Sequence, residues 1–307
     1  MTVGLVPHPD RAAAQDLAAR AAERLRALGA AVRVLAADAP SLTEHHVEVE
    51  AFAAGLDLVL SLGGDGTMLR TVDLVSDAGV PVLGVNVGQL GYLTEVEPAG
   101  LDAALDRVTA GDYTVIERMM LSVVVEGAPC AGTWKALNEA VLEKGRPGRV
   151  VRLDVSINGT AFTTYAADGV IVATPTGSTA YSFSARGPIV SPRHDCMVLT
   201  PVSPHMLFDR ALVLDPAEEV RFDVVNARSV VLTIDGREIG ELDAGATVRC
   251  TGAARPAHIA TLGPRDFHQV LKAKFGLSDR WAPPRSSNSG SVTSGSSRSS
   301  PSCSPPD

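Results

Sequence analysis

The stretch Ser61 to Arg70, SLGGDGTMLR, sets three glycines and a threonine around one carboxylate, Asp65, directly after the apolar run LDLVL. Gly63, Gly64 and Gly66 permit positive φ and let a ligand come close to the backbone. The turn is expected to lead into a helix at about Thr67, whose free N–H groups and dipole favour a phosphate. Asp65 then lies at the carboxyl end of a parallel strand, where open α/β sheets bind ligands. Three readings stand: a strand-to-helix turn capped by Asp65, a phosphate cradle, and a carboxylate base. The stretch lacks both the lysine of a Walker loop and the G-x-G-x-x-G spacing of a dinucleotide fingerprint.

Residues 173–192, ATPTGSTAYSFSARGPIVSP, crowd the hydroxyls of Thr174, Thr176, Ser178, Thr179, Tyr181, Ser182 and Ser184 around Gly177. Hydroxyls and backbone N–H groups recognise phosphate and ribose without a fixed charge, although a solvated loop can have the same composition. Asn138-Glu139 interrupts the apolar run ALNEAVLEKG. Adjacent residues of a strand point to opposite faces, so one of the pair is buried unless the strand lies at an edge, and it then needs a polar partner such as a ribose hydroxyl. Asp168-Gly169 precedes another apolar strand and reads as a turn or a site. His205 reads as a packed or capping histidine. His45 and His46 have no Asp, Glu or Cys cluster beside them that suggests a metal site.

The elements that must position these groups fall into two kinds. TVGLV, AVRVL, LDLVLSL and VPVLGVN read as strands, alternating with helices at 11–28, HHVEVEAFAAG, TMLRTVDLVSDAG and PAGLDAALDRVTAG. That alternation implies a parallel sheet covered on both faces. From Tyr113 onward short alternating strands follow, with hairpin signals at Asn158-Gly159 and Asp235-Gly236. A mainly antiparallel second domain is expected. PRDFHQVLKAKFG reads as a helix able to return to the first domain, and the Ser/Gly/Pro-rich stretch from Pro283 reads as disordered. The expected organisation is therefore 1–112 for the α/β part, 113–255 for the β-rich part, 256–282 for the returning segment and 283–307 for the tail.

The chain has 307 residues, is 45% apolar and 20% charged, and carries a formal charge of −8, so nucleic acid is not an expected partner. Its four cysteines are widely spaced without a C-x-x-C pair, which fits a reducing cytoplasm. The opening MTVGLVPHPDR does not read as a signal peptide, and no apolar run is long enough to span a bilayer.

Taken together, GGDGT at 63–67, NE at 138–139, DG at 168–169, TPTGSTAYSFSA at 174–185 and SPH at 203–205 resemble the NAD kinase family in identity, order and spacing. G-G-D-G-T alone is shared with diacylglycerol-type lipid kinases, whereas the Thr/Ser-rich block is more discriminating. The resemblance implies a Rossmann-like α/β domain joined to a β-sandwich-like domain, with the active site between them. It implies phosphoryl transfer from ATP or polyphosphate to the 2′-hydroxyl of the adenosine ribose of NAD, with Asp65 as general base and Gly66 in the nucleotide-binding turn. Asn138, Glu139, Arg149, Ala166, Asp168 and the run Thr179, Ala180, Tyr181, Ser182, Phe183, Ser184 carry over as dinucleotide contacts. It further implies Mg²⁺ or another divalent metal held through substrate phosphates rather than by protein ligands, and a homodimer or homotetramer.

Two departures stand out. Ser184-Ala185-Arg186-Gly187-Pro188 carries arginine where the family has glycine, and it either crowds the loop or adds a cation near phosphate. Arg237 follows Asp235-Gly236 where relatives often carry glutamine. Two other classes remain beside the kinase: a lipid or sugar kinase sharing the glycine-rich turn, and a non-catalytic dinucleotide sensor.

Overall fold

Leu58, Leu60 and Leu62 of one strand pack into one core cluster while Val59 between them packs into another. This period-two division builds the first layer of the protein, because successive strand residues face opposite sides of a sheet. The computed structural model describes residues 1–88, 91–145, 150–225, 230–264 and 266–277. A seven-stranded sheet runs in the order His46–Val47, Ala31–Leu35, Thr2–Pro7, Leu58–Gly63, Val82–Asn86, Ala257–Thr261, Thr114–Arg118. The first six strands are parallel and the last is antiparallel.

Helices Ala12–Ala27 and Leu101–Thr109 cover one face, burying Leu17, Ala21 and Leu25, and Leu101, Leu105 and Val108. The first ends near Gly29, which takes the left-handed φ of +78°. Helix Asp65–Val75 covers the other face through Met68, Val72 and Val75. It starts at Asp65 itself, not at Thr67. The helix expected over HHVEVEAFAAG is replaced by a 3-10 turn Thr43–His45, a two-residue parallel strand His46–Val47 and a short helix Val49–Phe52. Alternating His-Val-Glu-Val-Glu suits edge pairing, and in the short helix only Phe52 finds a core.

The second domain holds two six-stranded antiparallel sheets. Their inner faces share one core, to which strand Val151–Ile157 gives Val151, Leu153 and Val155 while Arg152 and Asp154 face out. Both expected hairpins form. Asn158 and Gly159 take φ of 51° and 75°, and Asp235 and Gly236 take 50° and 76°, the paired positive values that match the twist of the flanking strands. Helix Phe267–Phe275 places Lys274 over the Tyr92 ring and Phe275 against Phe183. The stretch from Pro283 lies outside the described residues.

Tyr165 is fully buried in the second core and its hydroxyl finds no protein partner. An unpaired buried hydroxyl costs stability. Tyr165→Phe is therefore expected to hold or raise the unfolding free energy, by up to about 1 kcal/mol in denaturant titration. A loss of that size would contradict it.

Candidate active site

Strand Leu58–Gly63 ends beside Thr2–Pro7, the point where strand order reverses, and this is where α/β sheets open a crevice. Gly64 caps the helix without a side chain, so Asp65 does not serve as the cap. Its carboxylate instead reaches a separate loop, accepting from the N–H of Tyr92 at 2.8 Å and of Leu93 at 2.9 Å. Gly91 makes that contact possible, since a Cβ there would sit 2.3 Å from Asp65 Oδ1. None of Gly63, Gly64 and Gly66 uses the positive φ that glycine permits. Their use is spatial: a Cβ at Gly63 would collide with Thr67, while Gly64 and Gly66 face open space.

Strand Gly132–Ala136 breaks at Leu137-Asn138 before strand Glu139–Lys144 begins. The N–H groups of Leu137, Asn138 and Glu139 all donate to the Asp235 carboxylate, at 2.8, 2.8 and 3.0 Å. On the other side the Asn138 carbonyl accepts from Thr174 N–H at 2.8 Å. Gly177 lies flat against the same peptide, where a Cβ would come within 2.1 Å of that carbonyl oxygen. Glu139 is 6% exposed, and its Oε2 has no protein partner. Burial first, and the nearby Asp235 second, push its carboxyl up to about 8, against the N–H of Tyr181, which acts to lower it. Asp235 is itself raised, by burial that outweighs the three N–H groups it receives.

The hydroxyl-rich block divides into two sets. Thr174, Ser178 and Ser182 are buried and satisfied within the fold: Thr174 Oγ1 donates to the Leu137 carbonyl, Ser178 Oγ donates to Pro175 and receives Val190 N–H, and Ser182 pairs with Thr200. Thr176, Thr179, Tyr181 and Ser184 stay at least partly open. Tyr181 Oη approaches Glu143 at 3.4 Å, Ala180 lies between the 3-10 turn Gly177–Thr179 and helix Tyr181–Ser184, and Phe183 is exposed. Asp168 pairs with Lys144 at 2.6 Å, and the Ala166 carbonyl accepts from His205 N–H at 2.7 Å. Arg149 lies outside the described residues. Arg186 neither crowds the loop nor breaks it. It is exposed at the end of helix Tyr181–Ser184 with φ of 66°, a position a glycine holds at less cost.

The two halves meet directly. Leu137 is buried in one cluster with Met68 and Val72 of the Asp65 helix. Tyr92 and Leu93, which hold Asp65, line one cavity together with Thr176, Thr179, Phe267 and Val270. Arg237 pairs with Asp73 of the same helix at 3.2 Å, and Lys135 with Asp77. The sequence reading missed the amide clamp at Tyr92-Leu93, for which Gly91 was the available sign. It also missed the side chain of Asp235, a residue read only as a turn.

Two family models match the chain: ATP-NAD kinase N-terminal domain over residues 3–113 and ATP-NAD kinase C-terminal domain over residues 137–262. The chain is 40% identical to the NAD kinase of Heliobacterium modesticaldum over 277 residues, 89% of this chain and 98% of that one. Among solved structures it is similar to yeast NADH kinase complexed with NADH, with a TM-score of 0.84 at 24% identity, covering 92% of this chain and 89% of that one. It is also similar to an NAD kinase from Archaeoglobus fulgidus in complex with ATP, with a TM-score of 0.69 at 23% identity, covering 90% and 98%.

Two outcomes follow from this geometry. Below about pH 4.5 both folded and unfolded chains keep the Glu139 proton, and as pH rises from there to about 8 the unfolded chain releases it first, so stability falls. Glu139→Gln removes that loss, and its thermal midpoint should rise relative to the parent as pH increases through the window. A constant difference would show that Glu139 titrates normally. Gly177→Ala should destabilise the fold by about 1–3 kcal/mol in denaturant titration, because the new methyl meets backbone rather than a yielding side chain. Unchanged stability would refute that packing.

Proposed function

We propose that this chain, which belongs to the NAD kinase family, transfers the terminal phosphoryl group of ATP to the 2′-hydroxyl of the adenosine ribose of NAD, giving NADP. The family activity itself, that of an NAD kinase phosphotransferase, is the premise. The observation that carries the finer reading is Glu139 Oε2, buried without a protein partner beside Asn138, at the junction with the helix that begins at Asp65. A ribose hydroxyl completes such a group, since a buried polar atom left unpaired is costly.

In this reading Asn138, Glu139, Ala166, Asp168 and the run Thr179 to Ser184 bind the dinucleotide, together with Arg149. Ser182 serves through its packing on Thr200, because its hydroxyl is already engaged. The donor's phosphates lie over Gly64 and Gly66, where the backbone is open and the first-turn N–H groups have no intrahelical partner. ATP is the donor, the nucleotide held in the Archaeoglobus fulgidus complex, and polyphosphate is an alternative donor. Asp65 accepts the hydroxyl proton while the new oxygen–phosphorus bond forms and the bond from the γ-phosphorus to the bridging oxygen breaks, releasing ADP. The Tyr92 and Leu93 N–H groups fix its orientation and leave lone pairs on each oxygen for the proton.

Among the described residues no group of three His, Cys, Asp or Glu side chains could hold a metal ion. A Mg²⁺ would be held through the substrate phosphates and completed by water, as the family resemblance implies. When bound, the ion neutralises charge on the phosphates. We place the reaction in the cytoplasm, in a homodimer or homotetramer. The exposed Phe162, Leu207, Phe208 and Val213 supply apolar surface for such a contact. No helix among the described residues is long and apolar enough to cross a membrane.

The test incubates purified protein with Mg²⁺, ATP and NAD and detects NADP with an NADP-specific dehydrogenase. NADP should accumulate, and Asp65→Asn should lower kcat about 10²–10⁴-fold. A near-parental kcat in the variant would remove Asp65 from the base role. Dinucleotide binding without NADP, from either ATP or polyphosphate, would make the protein a sensor.

A further inference from the structure

A hairpin tip is ordinarily solvent-facing, and its side chains seldom carry structure. The tip between strands Val230–Ile234 and Arg237–Leu242 departs from this at both ends. Asp235 turns its carboxylate inward, where Oδ2 accepts from Leu137 N–H and Oδ1 accepts from both Asn138 and Glu139 N–H. The bond is returned, since Asp235 N–H donates to the Glu139 carbonyl at 3.0 Å. Arg237 turns the other way, to Asp73 of the helix that begins with Asp65, and lies 5.9 Å from the centre of the Trp134 ring.

Two of those N–H groups, of Leu137 and Asn138, belong to the break between two strands, and the third belongs to Glu139, which opens the second strand. Without Asp235 they would need water or another conformation. The same turn is gripped from behind by Thr174 and Gly177.

We infer that Asp235 is a positioning residue for dinucleotide binding: it fixes the backbone that presents Asn138 and Glu139, and through the hairpin tip it ties that backbone to the helix carrying Asp65. Asp235 does not touch the substrate. It acts by holding the acceptor's contacts in register with the base, a task for which small displacements are costly. Neither the charge nor the size of its side chain is interchangeable in this role. Asparagine would present an N–H₂ to at least one backbone N–H, and glutamate would place its carboxylate one methylene too far.

This inference rests on the assignment of Asn138 and Glu139 to NAD. The experiment compares steady-state kinetics of the parent, Asp235→Asn and Asp235→Glu with NAD and ATP varied in turn, alongside thermal midpoints. Both variants should raise KM for NAD about tenfold or more while KM for ATP stays within about twofold, a split that loss of folded protein cannot produce. Amide hydrogen exchange over Leu137 to Glu139 should accelerate in the same variants. If one variant does not fold, the other carries the test. A parent that makes NADP, with KM for NAD unchanged in the folded variants, overturns the positioning role and leaves the reaction standing. A parent that makes no NADP overturns the reaction first, and this inference with it.

Discussion

Both domains have a hold on Leu137. Its side chain is fully buried among Met68 and Val72 of the α/β domain. Its N–H is taken by Asp235 and its carbonyl by Thr174, both from the β-rich domain. The peptide that follows carries Asn138 and then Glu139, so the position of these two groups relative to Asp65 is set by packing on one side and hydrogen bonds on the other. Neither domain alone could specify it. Most of the polar features around the cleft serve this junction before they serve a ligand.

That priority explains the character of the Thr/Ser-rich block. Thr174, Ser178 and Ser182 satisfy buried backbone and one another, as buried polar groups must. The block is thus a folded turn whose inner hydroxyls are engaged, while those of Thr176, Thr179, Tyr181 and Ser184 lie at least partly open. The same economy governs the acids. Asp65 is oriented by two amides of a neighbouring loop, Asp235 by three, and Glu139 is buried beside Asp235 with its carboxyl held high. Backbone donors, and at Glu139 a retained proton, temper the charge of these acids.

The parallel sheet, the antiparallel second domain and both hairpins were legible, because period-two and 3.6-residue patterns and the Asn-Gly and Asp-Gly pairs each report local constraints. The segment HHVEVEAFAAG misled because its alternation suits an edge strand as well as a helix. Among the candidate residues, Asp65 could be singled out by the glycines around it, and Asn138 and Glu139 as polar groups interrupting an apolar run. Asp235 could not. Its hairpin reads like that of Asn158, which has nearly the same φ, yet the Asn158 side chain makes only exposed bonds to Glu218 and Glu219, whereas the Asp235 side chain reaches back 96 to 98 residues into a part-buried junction. A contact of that sequence separation leaves no mark in a local pattern. The glycines of GGDGT carried a second ambiguity: freedom of φ and absence of a side chain look alike in sequence, and only the latter is used.

The proposed reaction has one spatial requirement: the junction must bring a ribose hydroxyl and the Asp65 carboxylate together. A crystal structure of this protein with NAD bound measures that directly. The adenosine 2′-oxygen is expected within about 2.6–3.2 Å of an Asp65 carboxylate oxygen, with Glu139 Oε2 bonded to the same ribose. Finding the nicotinamide or the pyrophosphate against Asp65, with the adenosine ribose away from Glu139, would refute the proposed chemistry.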